Sequence, residues 1–217
     1  MASRSYGQYC GLARSLDTIG DRWSLLIVRE LLLGPLRYSQ LKTALDGIAT
    51  NLLADRLRDL EAAGVIERRV ADAGGVVYGL TAWGEQLREP VESLIRWSTP
   101  LMISGPGADT FSPRWLAVAL PALLHKRTAR RPAELGIDLP GLFVTLRIDN
   151  DGPAVTAEPD QRPDTVLTAA PEIVLGLAAG ALPLEHALPL VRVQGDPGVL
   201  ETIFAGMPSS ARKAAVA

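Results

Sequence analysis

The chain is poor in the residues that build most chemical centres. Among 217 residues there is one cysteine, Cys10, and there are two histidines, His125 and His186, far apart in sequence. A single thiol excludes an internal disulfide and any cysteine-rich zinc site, so no metal or cofactor is expected. No run approaches the roughly 18 apolar residues of a membrane-spanning helix, and no membrane partner is expected. The N-terminal stretch has no apolar run behind its charges. That argues against a secretory leader and, with the lone thiol, suggests the reducing cytoplasm. Charge of one sign is also lacking: 22 basic residues face 24 acidic ones. The chain up to Ile103 carries 12 of each, and the remainder 10 basic and 12 acidic. Neither half is a bulk-basic, nonspecific nucleic-acid binder, so any DNA binding must rest on local placement of charge. There is no glycine-rich phosphate loop, and neither histidine has the neighbours of a nucleophilic triad. An enzyme is therefore not expected.

What is present is a globular composition, 47% hydrophobic and 21% charged, which excludes wholesale disorder. The Gly/Pro-rich stretch Ser104 to Pro113 reads as a linker. Two domains are expected, 1–103 and 113–208, joined by residues 104–112. In the first, helices are predicted at Leu12 to Ile19, Arg22 to Leu33 with Asp21 as cap, Tyr38 to Leu45, and from Thr50 or Ala49 to Ala63 with Gly64 at its end. Leu53, Leu57 and Leu60 make one apolar stripe on the fourth helix. Ile66 to Val70 and Val76 to Leu80 read as strands around an Ala73-Gly74-Gly75 tip. Thr81 then caps a long helix, Ala82 to Ile103, which Pro90 must kink or split. Helices three and four joined by a short turn and followed by a hairpin make a winged helix-turn-helix pattern.

The residues carrying that pattern are Asp21-Arg22-Trp23-Ser24-Leu25-Leu26, Gly34-Pro35-Leu36-Arg37-Tyr38-Ser39-Gln40-Leu41, Gly47-Ile48-Ala49, Leu57 to Ile66, Val77-Tyr78-Gly79-Leu80-Thr81, Gly84 and Trp97. In order and spacing, over about residues 8–100, they resemble the HxlR-type winged-helix regulators, relatives of the MarR group. Two departures stand out: Cys10-Gly11 where that family usually has Cys-Pro, and Asn51 where a basic residue is frequent. The resemblance implies a homodimer packed through the first and last helices of the domain, with Leu12, Leu94 and Trp97 at the interface. It also implies a double-stranded DNA operator as partner, with the fourth helix in the major groove.

The residues agree with that reading. If the leucine stripe faces inward, Thr50, Asn51, Ala54, Asp55 and Arg58 lie on the outer side or its flanks. Asn51 suits adenine and Arg58 suits guanine or a phosphate. Arg68 and Arg69 on the first wing strand suit phosphates, as do the amides at Tyr38, Ser39 and Gln40 opening the third helix. Each has a plainer reading beside it: Arg58 lies among Asp55, Asp59 and Glu61, and Asn51 near a helix start is often a cap. Cys10 is the candidate redox residue, since some members of the family sense oxidants or electrophiles through a cysteine at this place. With only Arg14 nearby to stabilise a thiolate, a partly buried structural thiol is the favoured reading.

The second domain reads as α+β: an apolar helix from Pro113 to Lys126 containing Pro121, strands Leu142 to Ile148, Ala154 to Glu158 and Thr165 to Ala169, a helix from Pro171 to Leu177 ended by Gly180, a strand Leu188 to Gln194, and a last helix Gly198 to Ala205. Its pieces Val144 to Ile148, Asp151-Gly152, Asp164 to Thr168, Gly176 to Gly180 and Leu190 to Asp196 resemble the sterol carrier protein-like fold. That resemblance implies a domain holding lipid-like or other apolar molecules between sheet and helices. A cluster of His125, Lys126, Arg127, Arg130 and Arg131 suits DNA or, more plainly, a solvated helix end. The expected function is sequence-specific regulation of transcription with an apolar effector. The alternatives are a second domain that only mediates assembly, or a lipid-binding protein whose winged helix is an interaction module.

Overall fold

The computed structural model describes residues 5–71, 74–102, 105, 107–157 and 159–205. Ala73 of the wing tip, Ile103, the linker residues Ser104 and Pro106, Glu158 and residues 206–208 lie outside them. The chain forms two compact units, Met1–Val91 and Glu92–Ala217. The break falls ahead of the Gly/Pro-rich segment.

The first unit has α1 (Gly11–Ile19), α2 (Ser24–Leu31), α3 (Tyr38–Ala44), α4 (Thr50–Ala62), β1 (Ile66–Val70) and β2 (Val76–Leu80). Its core is aliphatic. Ile27, Val28 and Leu31 of α2, Leu41 of α3, and Leu53, Leu57 and Leu60 of α4 are all buried. Gly64 ends α4 with φ +75°, a conformation that favours glycine. The hairpin pairs Ile66 with Leu80 and Val70 with Val76. A further bridge, Leu36 to Tyr78, pins the turn before α3 to the wing through bonds of 2.8 and 2.9 Å.

Two expectations here need correction. Asp21 does not cap α2, which starts later, at Ser24. Its carboxylate is taken instead by Arg56 of α4, so the charge that would have capped one helix ties the loop before it to another. The long helix after Thr81 is also divided: a 3₁₀ turn at Gly84–Leu87, then α5 (Arg88–Ser98), then a second 3₁₀ turn at Thr99–Met102. Pro90 falls in the first turn of α5, where a missing N–H costs nothing. Thr81 does act as a cap: its Oγ1 accepts the Gly84 N–H at 3.0 Å and donates to the Gly64 carbonyl at 2.7 Å.

The second unit has α6 (Leu116–Leu123), β3 (Ala133–Leu139), β4 (Leu142–Asp149), β5 (Gly152–Ala157), β6 (Val166–Thr168), α7 (Pro171–Ala178), α8 (Leu184–Ala187), β7 (Arg192–Gln194) and α9 (Gly198–Phe204). The strands form one mixed sheet in the order β5-β4-β3-β6-β7, parallel only between β3 and β6. Leu135, Ile137, Val144, Leu146 and Leu167 pack with Leu120 of α6, Val174 of α7 and Ile203 of α9 in one buried core. The fold is thus α+β in both parts. β3 was not anticipated, and the expected strand from Leu188 shrinks to β7 because Leu188–Leu190 is a 3₁₀ turn containing Pro189. β6 is likewise shorter than Thr165 to Ala169, and β5 starts at Gly152 rather than at Ala154.

Gly84 tests the packing of the first unit. A Cβ there would stand 2.0 Å from the Val65 carbonyl oxygen, a backbone atom that cannot rotate away. Gly84→Ala is expected to destabilise the fold by about 1–3 kcal/mol, read as a lower urea midpoint with an unchanged m-value. An unchanged midpoint would mean that Thr81, Gly84 and Val65 are not packed as described.

Candidate nucleic-acid interface

The interface is built outward from α4. Its three leucines turn inward, and this leaves Thr50, Asn51 and Arg58 exposed and Ala54 and Asp55 half-buried. The start of α4 is held from α3: the Tyr38 hydroxyl donates to the Thr50 carbonyl at 2.7 Å. Asn51 keeps its side chain local, its Oδ1 accepting the Leu52 N–H at 2.9 Å, which leaves its amide NH₂ outward. Gln40 caps α3, its Oε1 accepting the Arg37 N–H at 2.7 Å, while Ser39 is exposed beside it.

Each cation expected at the interface is paired with a carboxylate of its own unit. Arg58 bonds Asp55. Arg68 bonds Glu61 at 2.9 Å, and the carboxylate holds the guanidinium pKa further up. Arg69 bonds Glu67 at 2.7 Å through Nε. All of these pairs are largely solvent-exposed, and exposed pairs contribute only about 0–1 kcal/mol. An arriving phosphate can therefore take the guanidinium at little cost.

One residue of this surface has no assigned role in the sequence reading. Arg37 precedes α3 and sends its Nη2 to the Gly74 carbonyl at 2.8 Å, so it ties the helix-turn-helix to the wing tip. It stands inside the matched stretch Gly34 to Leu41. A cation immediately before a helix, ahead of a Gly-Gly hairpin, is the signal that was there to read.

Cys10 differs from its expectation. It is exposed rather than partly buried, and it is the residue from which α1 starts. Hydrogen bonds from the backbone at Ala13 and Leu12 lower its thiol pKa. The stabilising charge comes from the free amides of the helix end, not from Arg14, which pairs with Asp17 at 3.8 Å. The proposed contact residues Leu12, Leu94 and Trp97 are all exposed, Trp97 at 75%. Trp23, by contrast, is half-buried, with the Arg22 guanidinium 5.8 Å from its ring centre.

Comparison with known proteins bears on this surface. Residues 18–104 match the HxlR-like helix-turn-helix family. The HTH-type transcriptional regulator YkvN of Bacillus subtilis, itself named uncharacterized, is 33% identical over 90 residues, 41% of this chain and 76% of that protein. The chain belongs to the HxlR-like helix-turn-helix family. The similar regulator sll1512 of Synechocystis is 39% identical over 84 residues, 38% of this chain and 62% of that protein. The chain therefore spans less than two thirds of that relative. The solved structure of the reduced form of the transcriptional regulator YodB from B. subtilis is 29% identical and aligns with a TM-score of 0.39, over 45% of this chain and 99% of that one. The HxlR family is one of transcriptional regulators, not of enzymes. The matched segment ends at residue 104, so the sheet of the second unit lies beyond it. Among the described residues no helix is long and apolar enough to cross a membrane.

The Cys10 geometry gives a direct expectation. The rate of alkylation by iodoacetamide rises with pH as thiolate forms, and its midpoint should lie lower in the native protein than in the urea-unfolded chain. Coincident midpoints would show that the α1 amides do not stabilise the thiolate.

Proposed function

We propose that this HxlR-family regulator binds a two-fold symmetric DNA operator as a homodimer, each α4 entering the major groove of one half-site. The supporting observation is the outward face of α4, with Thr50, Asn51 and Arg58 presented over a buried leucine stripe and its start anchored by Tyr38. Residues at the start of a recognition helix are the ones that reach base edges. Asn51 has its NH₂ free for an adenine N7, and its accepting oxygen must leave the Leu52 N–H to complete a bidentate contact. Arg58 exchanges Asp55 for a guanine edge or a phosphate. Ala54 and Asp55 flank these contacts. Arg68 and Arg69 on β1 reach the adjacent backbone, and Tyr38, Ser39 and Gln40 lie where α3 crosses it.

The dimer reading rests on exposed apolar side chains that need cover. α1 presents Leu12 and Leu16 one turn apart, and α5 presents Leu94 and Trp97. Cys10, at the exposed start of α1, is the proposed point of attack for an oxidant or electrophile. With one thiol per chain, its products are an intermolecular disulfide or a mixed adduct.

The proposed effector domain is residues 113–208, within the second unit, of sterol carrier-like architecture. Its support is a helix, a three-strand meander, a crossover strand and a last strand, with an apolar interior, aliphatic but for Phe204, between sheet and helices. A second reading, that this unit serves assembly or a protein partner, is favoured by the same interior being closely filled: Leu120, Leu135, Val144, Leu146 and Val174 are each fully buried. Ligand regulation would require that helices and sheet separate differently in two states with different operator affinity.

Selection from random duplexes with the full-length protein tests the central reading. A symmetric motif is expected, and failure to enrich any sequence at low salt would overturn it. On the recovered site, Asn51→Ala and Arg58→Ala should each cost roughly 1–3 kcal/mol of specific binding. Unchanged affinity in both would remove α4 from the major groove. Leu94→Asp with Trp97→Asp should sediment as a monomer, and a dimer unaffected by that pair would place the interface elsewhere.

A further inference from the structure

The second unit carries a concentration of positive charge that the fold does not explain. Residues 125–131 read His-Lys-Arg-Thr-Ala-Arg-Arg, without an acidic residue. Lys126, Arg130 and Arg131 are exposed, and none of them makes an ion pair with another described residue. In the first unit, by comparison, Arg14, Arg56, Arg58, Arg68, Arg69 and Arg88 are each paired with a carboxylate, while Arg22, Arg37 and Lys42, which make no ion pair with another described residue, are scattered rather than clustered. The acids closest along the fold are already engaged, since Arg147 takes Glu134 at 3.4 Å and Asp149 at 3.1 Å. Asp151 in the neighbouring turn is exposed and makes no ion pair with another described residue.

A helix end accounts for only part of the cluster. α6 ends at Leu123, and the pull of its carbonyl end fades within the last turn. Lys126 is close enough to feel it. Arg130 and Arg131 lie well beyond. Nor is the segment a loose strand of chain. The Arg127 N–H donates to the Leu124 carbonyl at 2.7 Å, the Ala129 N–H donates to the Asp149 carbonyl at 2.9 Å, and the Arg127 guanidinium donates to the Ala205 carbonyl. The three free cations therefore project from a backbone fixed at both sides. The local potential registers on His125, whose pKa is lowered by partial burial, then by the Arg96 charge, with a smaller contribution from Lys126. His125 is held through Nδ1 at 3.0 Å from the Ala122 carbonyl.

We propose that Lys126, Arg130 and Arg131 form a second DNA-contacting surface, which binds backbone phosphates flanking the operator without reading sequence. The inference rests on the DNA-binding reading of the first unit. Its added content is that the effector unit is itself a phosphate-binding module. Three unpaired cations on a fixed loop match the spacing-tolerant, point-charge chemistry of phosphate contact. They lack the bidentate, aromatic-lined geometry of a base or nucleotide site. Because the cations are already free, no internal ion pair need break when phosphate arrives.

The test is the salt dependence of binding by the full-length protein, on the selected operator embedded in a duplex of about 60 base pairs. Each phosphate neutralised contributes about 0.9 to the slope of log affinity against log salt. Replacing all three residues by Gln should reduce that slope by about 2 to 3 per bound chain. It should leave the selected sequence motif unchanged. Arg130→Lys with Arg131→Lys should retain the wild-type slope, since a phosphate contact accepts either cation. A Gln variant with wild-type slope and affinity would overturn the proposal. So would Lys variants that behave like the Gln variant, because that would reveal a structural role. Failure of the first-unit reading looks different: no sequence would be enriched, and wild-type protein would bind every duplex alike, with Asn51→Ala and Arg58→Ala without effect.

Discussion

The rest of the molecule's logic depends on one burial constraint, the inward turn of Leu53, Leu57 and Leu60 along α4. A helix has one rotational setting about its own axis that hides such a stripe, and the residues opposite it are then fixed in space. Removing any one of the three would cost several kcal/mol and loosen that setting. Everything offered to a partner by α4 is therefore positioned by side chains that the partner never touches. Tyr38 adds a second restraint at the helix start, and the Leu36–Tyr78 bridge carries the same rigidity to the wing. Arg37 closes the circuit between them at the wing tip.

The first unit was legible because its signals agree at every level. The leucine period and Gly64 agree on α4, and two β-branched-rich runs around a glycine pair agree on the hairpin. What was missed there depends on long-range choices. Asp21 is a good local cap, but Arg56, far along the chain, competes for its carboxylate. Pro90 signals a break, yet only the register of α5 decides that it falls in a first turn rather than mid-helix. The second unit was harder for a different reason. β3 alternates cleanly, with Ala133, Leu135, Ile137 and Leu139 all inward, but Glu134, Gly136 and Asp138 have poor strand propensity and hide the period. Those three are tolerated because they lie on the other sheet face, where the Gly136 gap accepts the Phe143 ring. For the candidate interface, the α4 and wing positions were legible as positions. The pairing of Arg58 with Asp55 was legible as well, since the two lie one turn apart on α4; that of Arg68 with Glu61 was not, because it joins a strand to the preceding helix.

Those pairings decide how the surface discriminates. A guanidinium already bonded to a carboxylate must leave it to meet DNA, and the abandoned acid then faces phosphate. Both costs are modest for exposed pairs, but they are incurred on any duplex, correct or not. In the proposed recognition mode, base-edge contacts from α4 are gained only on the correct one. The ion pairs therefore leave the ratio of specific to nonspecific affinity intact while weakening nonspecific binding in absolute terms. In a genome with about 10⁶–10⁹ competing sites, that lowers the protein held on wrong sequence. A near-neutral reading surface is thus compatible with a DNA-binding role, and the even charge balance of the chain counts against nonspecific binding alone. By the same reasoning the unpaired cations of residues 125–131 act in the opposite sense. On the proposed reading, Lys126, Arg130 and Arg131 would add affinity on every sequence, so their contribution would be useful only when the paired surface of the first unit supplies the selection.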